Sequence, residues 1–132
     1  MKAVTELEKR GCDTWGCGHF GASRGERTHK GIDFKCPPGV QVLSPVKGRV
    51  TKLGYCYRDT PVFRYVQITT EDFKDYRVFY CEPVVPEGRE VTEETVIGVA
   101  QDLGERYPGI TPHIHMEVKY KGEYLDPEEE DV

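Results

Sequence analysis

Thr111-Pro112-His113-Ile114-His115-Met116-Glu117-Val118 decides how this chain is read. Side chains two apart on a β-strand share a face. A strand from His113 to Tyr120 therefore turns both imidazoles one way and sends Ile114 and Met116 the other, into a core. Glu117 falls on the histidine face, placed to hydrogen-bond a ring nitrogen. A second short stretch, His29-Lys30-Gly31-Ile32-Asp33, carries a histidine and a carboxylate four residues apart at the entry to a strand. The chain has four histidines, and three of them lie in these two segments together with one aspartate. A His/Asp/His set with an open fourth position suits zinc, which accepts imidazole and carboxylate in tetrahedral geometry.

The rest of the chain reads outward from these segments as strands and turns. Val40, Val42, Val46 and Val50 alternate with Pro37, Pro38, Gly39, Pro45 and Gly48, which break helices and leave short β segments. Residues 63–69 and 76–80 are β-branched and aromatic, as half-buried strands are, and residues 95–99 form another short strand. Pro83, Pro86 and Gly88 mark a loop, and Tyr107-Pro108-Gly109 a turn. Ala3, Val4 and Leu7 sit at helical spacing, enough for one or two turns over residues 2–10. The expected fold is mainly β and compact, with little helix.

A chain of 132 residues holds one core. With 37% hydrophobic and 31% charged residues it contains no apolar run of the ~20 residues that a membrane-spanning helix needs. Eighteen basic against 23 acidic residues exclude a general nucleic-acid binder. Asp126, Glu128, Glu129, Glu130 and Asp131 carry an acidity equal to the whole net charge of −5, so the body of the chain is neutral. This tail reads as a solvated end, while Arg24, Arg27 and Lys30 form a basic cluster before the His29 motif. Cys12 and Cys17 have the spacing of a small disulfide loop. Half a zinc site would need a cysteine or Cys/His pair elsewhere, and no such pair is present. Cys56 and Cys81, both in strand-like sequence, are candidates to pair across a sheet, which leaves Cys36 over. Disulfides favour an oxidising compartment, and the first residues lack an apolar signal core. The chain is therefore expected to be extracellular, with its signal peptide removed or trimmed; reduced thiols in the cytosol are the alternative.

His29 to Val50, Glu87 to Gly98 and Thr111 to Val118 together resemble the lysostaphin-type zinc metallopeptidase domain. The resemblance runs from about Gly18 to Pro127. It leaves residues 1–17 as an N-terminal extension with the Cys12–Cys17 loop, and 128–132 as an acidic tail. It implies an antiparallel β fold with a groove over one zinc ion, His29, Asp33 and His115 as ligands, and His113 as the base that takes a proton from the attacking water. Active members carry a further histidine in a Tyr-x-His-like strand. The corresponding stretch here, Arg77-Val78-Phe79-Tyr80-Cys81-Glu82-Pro83, has none.

The narrower resemblance is to the chemotaxin-2 branch of that family, secreted proteins regarded as signals rather than peptidases. It rests on the Cys-x4-Cys loop in Gly11 to Phe20, on Phe79-Tyr80-Cys81-Glu82-Pro83 and on Tyr107-Pro108-Gly109-Ile110. It places a further family disulfide near Asp75 and Lys119, where an ion pair is expected instead, and the partner of Cys36 at or before Met1. The implied function is a secreted, non-catalytic zinc module whose partner is a cell-surface receptor or a peptide or glycan ligand. The alternative is an active zinc endopeptidase on glycine-rich or cell-wall peptides, with His113 as base and His19, Tyr80 or Tyr107 supplying the missing polarisation. Cys81 is a candidate soft ligand, and Trp15 is either an exposed contact or packed on the disulfide.

Overall fold

The computed structural model describes residues 7–24 and 27–130. The strands are β1 (Cys12–Asp13), β2 (Gly16–Cys17), β3 (Ser23–Arg24), β4 (Arg27–Thr28), β5 (Ile32–Lys35), β6 (Gln41–Leu43) and β7 (Gly48–Tyr55). They continue with β8 (Arg64–Thr69), β9 (Asp75–Phe79), β10 (Cys81–Pro83), β11 (Glu90–Val91), β12 (Val96–Ala100), β13 (His113–Tyr120) and β14 (Glu123–Leu125). Short 3-10 turns cover Leu103–Glu105 and Pro127–Glu130.

A seven-stranded antiparallel sheet runs β11-β7-β8-β9-β13-β14, with β5 added to β13. Strand β13 is long enough to take β5 on its first half and β14 on its second, while β9 lies along its other edge. Ile114, Met116 and Val118 are fully buried, as the alternation requires, and pack with Ile32, Phe34, Val50, Val66, Ile68 and Val78. A three-stranded sheet, β10-β12-β6, contributes Val42, Cys81, Ile97 and Ala100 to the same core. Gly98 allows the close approach between β12 and β10, since a Cβ there would stand 2.3 Å from Cys81 Sγ.

Three expectations need correction. Of the segment 2–10, residues 2–6 lie outside the described residues, and 8–10 are extended rather than helical. Lys9 bridges Phe34, Lys35 donates to the Glu8 carbonyl and Arg10 to that of Asp33. The free edge of β5 satisfies these backbone groups, which one or two isolated helical turns would do poorly. Cys56 and Cys81 are not paired; with Cys36 they are free thiols, and Cys12–Cys17 is the disulfide among the described residues. Cys81 is buried in the core while Cys56 lines a cleft, so the two sulfurs face different surroundings. Asp75 and Lys119 are cross-strand partners, yet they form no ion pair. The Lys119 ammonium lies 5.2 Å from the centre of the Tyr124 ring, and Asp75 accepts from Thr69 Oγ1 at 2.7 Å. The tail is also less free than expected, because Glu128 pairs with Lys9 at 2.8 Å.

Candidate metal centre

On the face of the large sheet opposite the core, one cross-strand row runs Tyr65, Phe79, His115, Asp33, each opposite the next in register. Pairing of β5 with β13 thus brings the two sequence motifs together without any side chain having to reach. Phe79 stacks on Tyr65 and meets the His115 ring edge-on at 5.1 Å, fixing that imidazole against the sheet. His29 arrives from the chain just before β5, and Gly31 makes its approach feasible. A Cβ at residue 31 would stand 2.2 Å from the Met116 carbonyl oxygen and 2.8 Å from His115 Cε1.

Three ligand-type atoms converge. His29 Nε2 lies 3.0 Å from His115 Nδ1 and 3.2 Å from Asp33 Oδ1, and His115 Nδ1 is 2.8 Å from the same oxygen. One such atom from each of these buried residues lies within 4.8 Å of the others, a grouping able to hold a metal ion. The outward ring nitrogens are held by other partners: His29 Nδ1 lies 3.0 Å from the His19 carbonyl and His115 Nε2 2.9 Å from Glu117 Oε2. Those bonds orient both rings with their inner nitrogens towards Asp33. Two imidazoles and one carboxylate are a donor set that fits zinc.

Electrostatics follow from the same contacts. Burial opposes ionisation of Asp33, but hydrogen bonds from His115 and His29 outweigh it and hold the carboxyl well below the usual range. Burial likewise opposes charging of His115, yet its bonds to Asp33 and Glu117 prevail and raise it to about 9. His113 differs. Burial keeps it below the ordinary histidine value, so it is neutral near pH 7. Its Nδ1 donates to the Thr111 carbonyl at 2.7 Å, which leaves Nε2 as the basic nitrogen, 3.5 Å from Asp33 Oδ2.

These groups line a cleft of about 420 Å³. Its opposite wall is aromatic. Tyr57 shares hydrogen bonds with the hydroxyls of Tyr80, at 2.9 Å, and Tyr107, at 2.8 Å, and Tyr80 meets the His113 ring edge-on at 5.6 Å. Burial pushes the Tyr57 and Tyr80 phenols up, so both stay protonated. Trp15 is half exposed, packs edge-on against Tyr107 and donates to the Pro108 carbonyl, so it extends this wall.

The remaining predicted residues are dispersed. His19 has an exposed side chain and offers its carbonyl to His29, while its imidazole does not line the cleft. Cys81 faces the core, so the thiol on the cleft is Cys56. Arg24 bonds to the Cys17 carbonyl and lines the cleft 4.0 Å from Asp33 Oδ2, whereas Lys30 lies over the Tyr124 ring, so these two do not form a common rim; the Arg27 side chain lies outside the described residues. Sequence reasoning missed Arg10 and Tyr57. The acid three residues after Arg10 was a usable signal, since it marks a buried ion pair. Nothing local distinguished Tyr57.

Comparison with known proteins places the chain in a family and a fold. The chain is 31% identical over 111 residues to leukocyte cell-derived chemotaxin-2 of Mus musculus, covering 83% of this chain and 72% of the relative. Among solved structures, the antimicrobial peptidase lysostaphin from Staphylococcus simulans superimposes with a TM-score of 0.70 at 18% identity, over 96% of this chain and 49% of that one. A zinc containing peptidase from Vibrio cholerae superimposes with a TM-score of 0.65 at 22% identity, over 90% of this chain and 38% of that one. The chain spans about half or less of these two solved chains, and these likenesses concern the fold. The model of the zinc-dependent peptidase family M23 matches residues 27–127, and the chain belongs to that family.

Proposed function

We propose that this chain is a secreted module that binds one zinc ion through His29, Asp33 and His115 and acts by binding a partner rather than by cleaving peptides. The observation that carries the reading is the composition of the cleft wall. His29, His113 and His115 are its histidines among the described residues, and the stretch Arg77 to Pro83, which the resemblance matches to the strand carrying a further histidine in active members, supplies Phe79 and Tyr80 to the wall instead. Glu82, two residues on, is exposed and bonds to Gln101. Loss of one preorganised electrostatic group costs about 10²–10³ in rate. Secretion is supported by the Cys12–Cys17 disulfide and by the likeness to chemotaxin-2. The partner is a cell-surface receptor or a peptide or glycan that enters the cleft against Trp15, Tyr57 and Tyr107.

A zinc ion held by His29, Asp33 and His115 would supply a Lewis acid for carbonyl polarisation and water activation. The chain's own residues contribute a neutral base at His113 Nε2 and the aromatic wall. The second reading, an active endopeptidase on glycine-rich or cell-wall peptides, is favoured by one observation. Tyr80 and Tyr107 bring hydroxyls to the cleft, linked through Tyr57, and these are candidates for the polarisation that a further histidine would supply. The test is incubation of the zinc-loaded protein with pentaglycine and peptidoglycan-derived peptides. No turnover is expected; turnover abolished by His113→Ala would establish the peptidase instead.

A further inference from the structure

Arg10 lies in the N-terminal extension, before the family-matched residues 27–127, yet its guanidinium is buried on the wall of the metal cleft. Nη1 donates to Asp33 Oδ2 at 2.8 Å. Nε and Nη2 form a fork on Asp13, at 3.2 and 2.7 Å, and Nη2 also reaches the Gly16 carbonyl at 3.1 Å. Asp13 and Gly16 face each other across the β1–β2 hairpin, which the Cys12–Cys17 disulfide closes. Asp13 is itself fixed by the backbone N–H groups of Trp15 and Thr111. The arginine is thus held along its length by a cross-linked hairpin. Its remaining arm rests on Asp33 Oδ2, which also lies 3.5 Å from His113 Nε2 and 4.0 Å from Arg24 Nη2, whereas His29 Nε2 and His115 Nδ1 meet Oδ1.

We infer that Arg10 is a positioning residue for the metal site: by occupying Asp33 Oδ2 it leaves Oδ1 as the one carboxylate oxygen offered to a divalent cation. An unrestrained aspartate can swing or bind through both oxygens, and a planar guanidinium held at fixed geometry prevents both. The backbone strengthens the arrangement, because Arg10 N–H donates to the Asp33 carbonyl at 2.9 Å. Gly18 keeps the space between them open, since a Cβ there would stand 2.9 Å from the Arg10 carbonyl oxygen and 3.0 Å from Asp33 Cβ. Part of the centre is therefore built from a segment that precedes the family-matched residues 27–127.

This inference rests on the reading of His29, Asp33 and His115 as metal ligands, and the experiment separates the two. Zinc affinity is measured by competition with a chromophoric chelator, and the visible d–d spectrum of the cobalt(II) form is recorded, for the full chain and for Arg10→Gln. Loss of Arg10 is expected to weaken zinc about 10–100-fold, the usual effect of removing a group that orients a ligand. The cobalt bands are expected to move in position and intensity as Asp33 Oδ2 becomes available, a change that a purely structural role of Arg10 would not produce. Arg10→Gln alone leaves the Asp13 carboxylate without its counter-charge, so the double variant Arg10→Gln/Asp13→Asn, which removes both charges, is measured beside it and must show the same shift. Lys9→Ala, whose ammonium pairs with exposed Glu128, is expected to leave affinity and spectrum as they are. Wild-type affinity and spectrum in whichever Arg10 variants fold, or an equal change in Lys9→Ala, would overturn the inference. Failure of the unaltered chain to bind zinc or cobalt would overturn the metal-site reading itself.

Discussion

His115 stands directly opposite Asp33 in the antiparallel pairing of β13 with β5, and its Nδ1 lies 2.8 Å from Asp33 Oδ1. The contact is set by backbone register rather than by side-chain reach. A slip of one residue would turn His115 into the core and Ile114 or Met116 onto the cleft, which burial of those two side chains forbids. The hydrophobic effect that holds the sheet together therefore also fixes the candidate ligand geometry.

Removal of a ligand and removal of the base should be separable. His29→Ala and Asp33→Ala are expected to abolish stoichiometric zinc binding, whereas His113→Ala should retain it, because His113 lies outside the converging triad. Metal content after gel filtration decides. Equal loss in all three would mean that the roles within His113-Ile114-His115 are wrongly divided.

Chelation should lower thermal stability. A ligand that binds only the folded state stabilises it by about 2.7 kcal/mol at a hundredfold excess over Kd. Melting curves with zinc and with a chelator are expected to differ by several degrees in the unaltered chain and to coincide in Asp33→Ala.

Gly31→Ala should damage both fold and site. The added methyl would meet the Met116 carbonyl and the His115 ring, and such overpacking costs about 1–3 kcal/mol. Urea unfolding should show the loss, and zinc affinity should fall with it. A fully stable Gly31→Ala that binds zinc normally would contradict the close approach.

Core truncation should act on stability alone. Met116→Ala removes a fully buried side chain from the core face of β13 and is expected to cost about 2–5 kcal/mol in urea unfolding. The folded fraction should still take up zinc with the stoichiometry of the unaltered chain.

The buried thiols give a pH signature. Burial raises Cys81 from 9.0 to about 12, so the folded chain holds this proton more tightly than the unfolded chain does. Its contribution to stability is complete below about pH 9 and is lost as pH rises towards 12. At pH 8, Cys36 and Cys81 should resist an aromatic disulfide reagent in the native protein and react after denaturation. Rapid native labelling of both would show that the core opens.

Much of this was legible along the chain. Strand β13 has the bounds that its alternation implies, His113 to Tyr120, because one buried and one polar face leave a single register. His29, Asp33 and His115, which the fold brings together, stand out along the chain because so few histidines compete with them. Segment 8–10 was misread because its side-chain spacing carries no information about the edge of β5 that pairs with it. Cysteine pairing failed for a related reason: strand-like sequence around Cys56 and Cys81 does not say that one sulfur faces the core and the other the cleft.

The sequence by itself determined local periods and chemical types: where strands run, which face each side chain takes and which atoms are able to bind a metal. These follow from covalent geometry and from the cost of burying polar groups, and both act residue by residue. Tertiary structure alone decided which side chains meet. It placed Arg10 on Asp33, Tyr57 between Tyr80 and Tyr107, and Phe79 against His115, contacts between segments far apart in the chain. Their positions are fixed by strand register and by the packing of two sheets on one core, which no local stretch encodes.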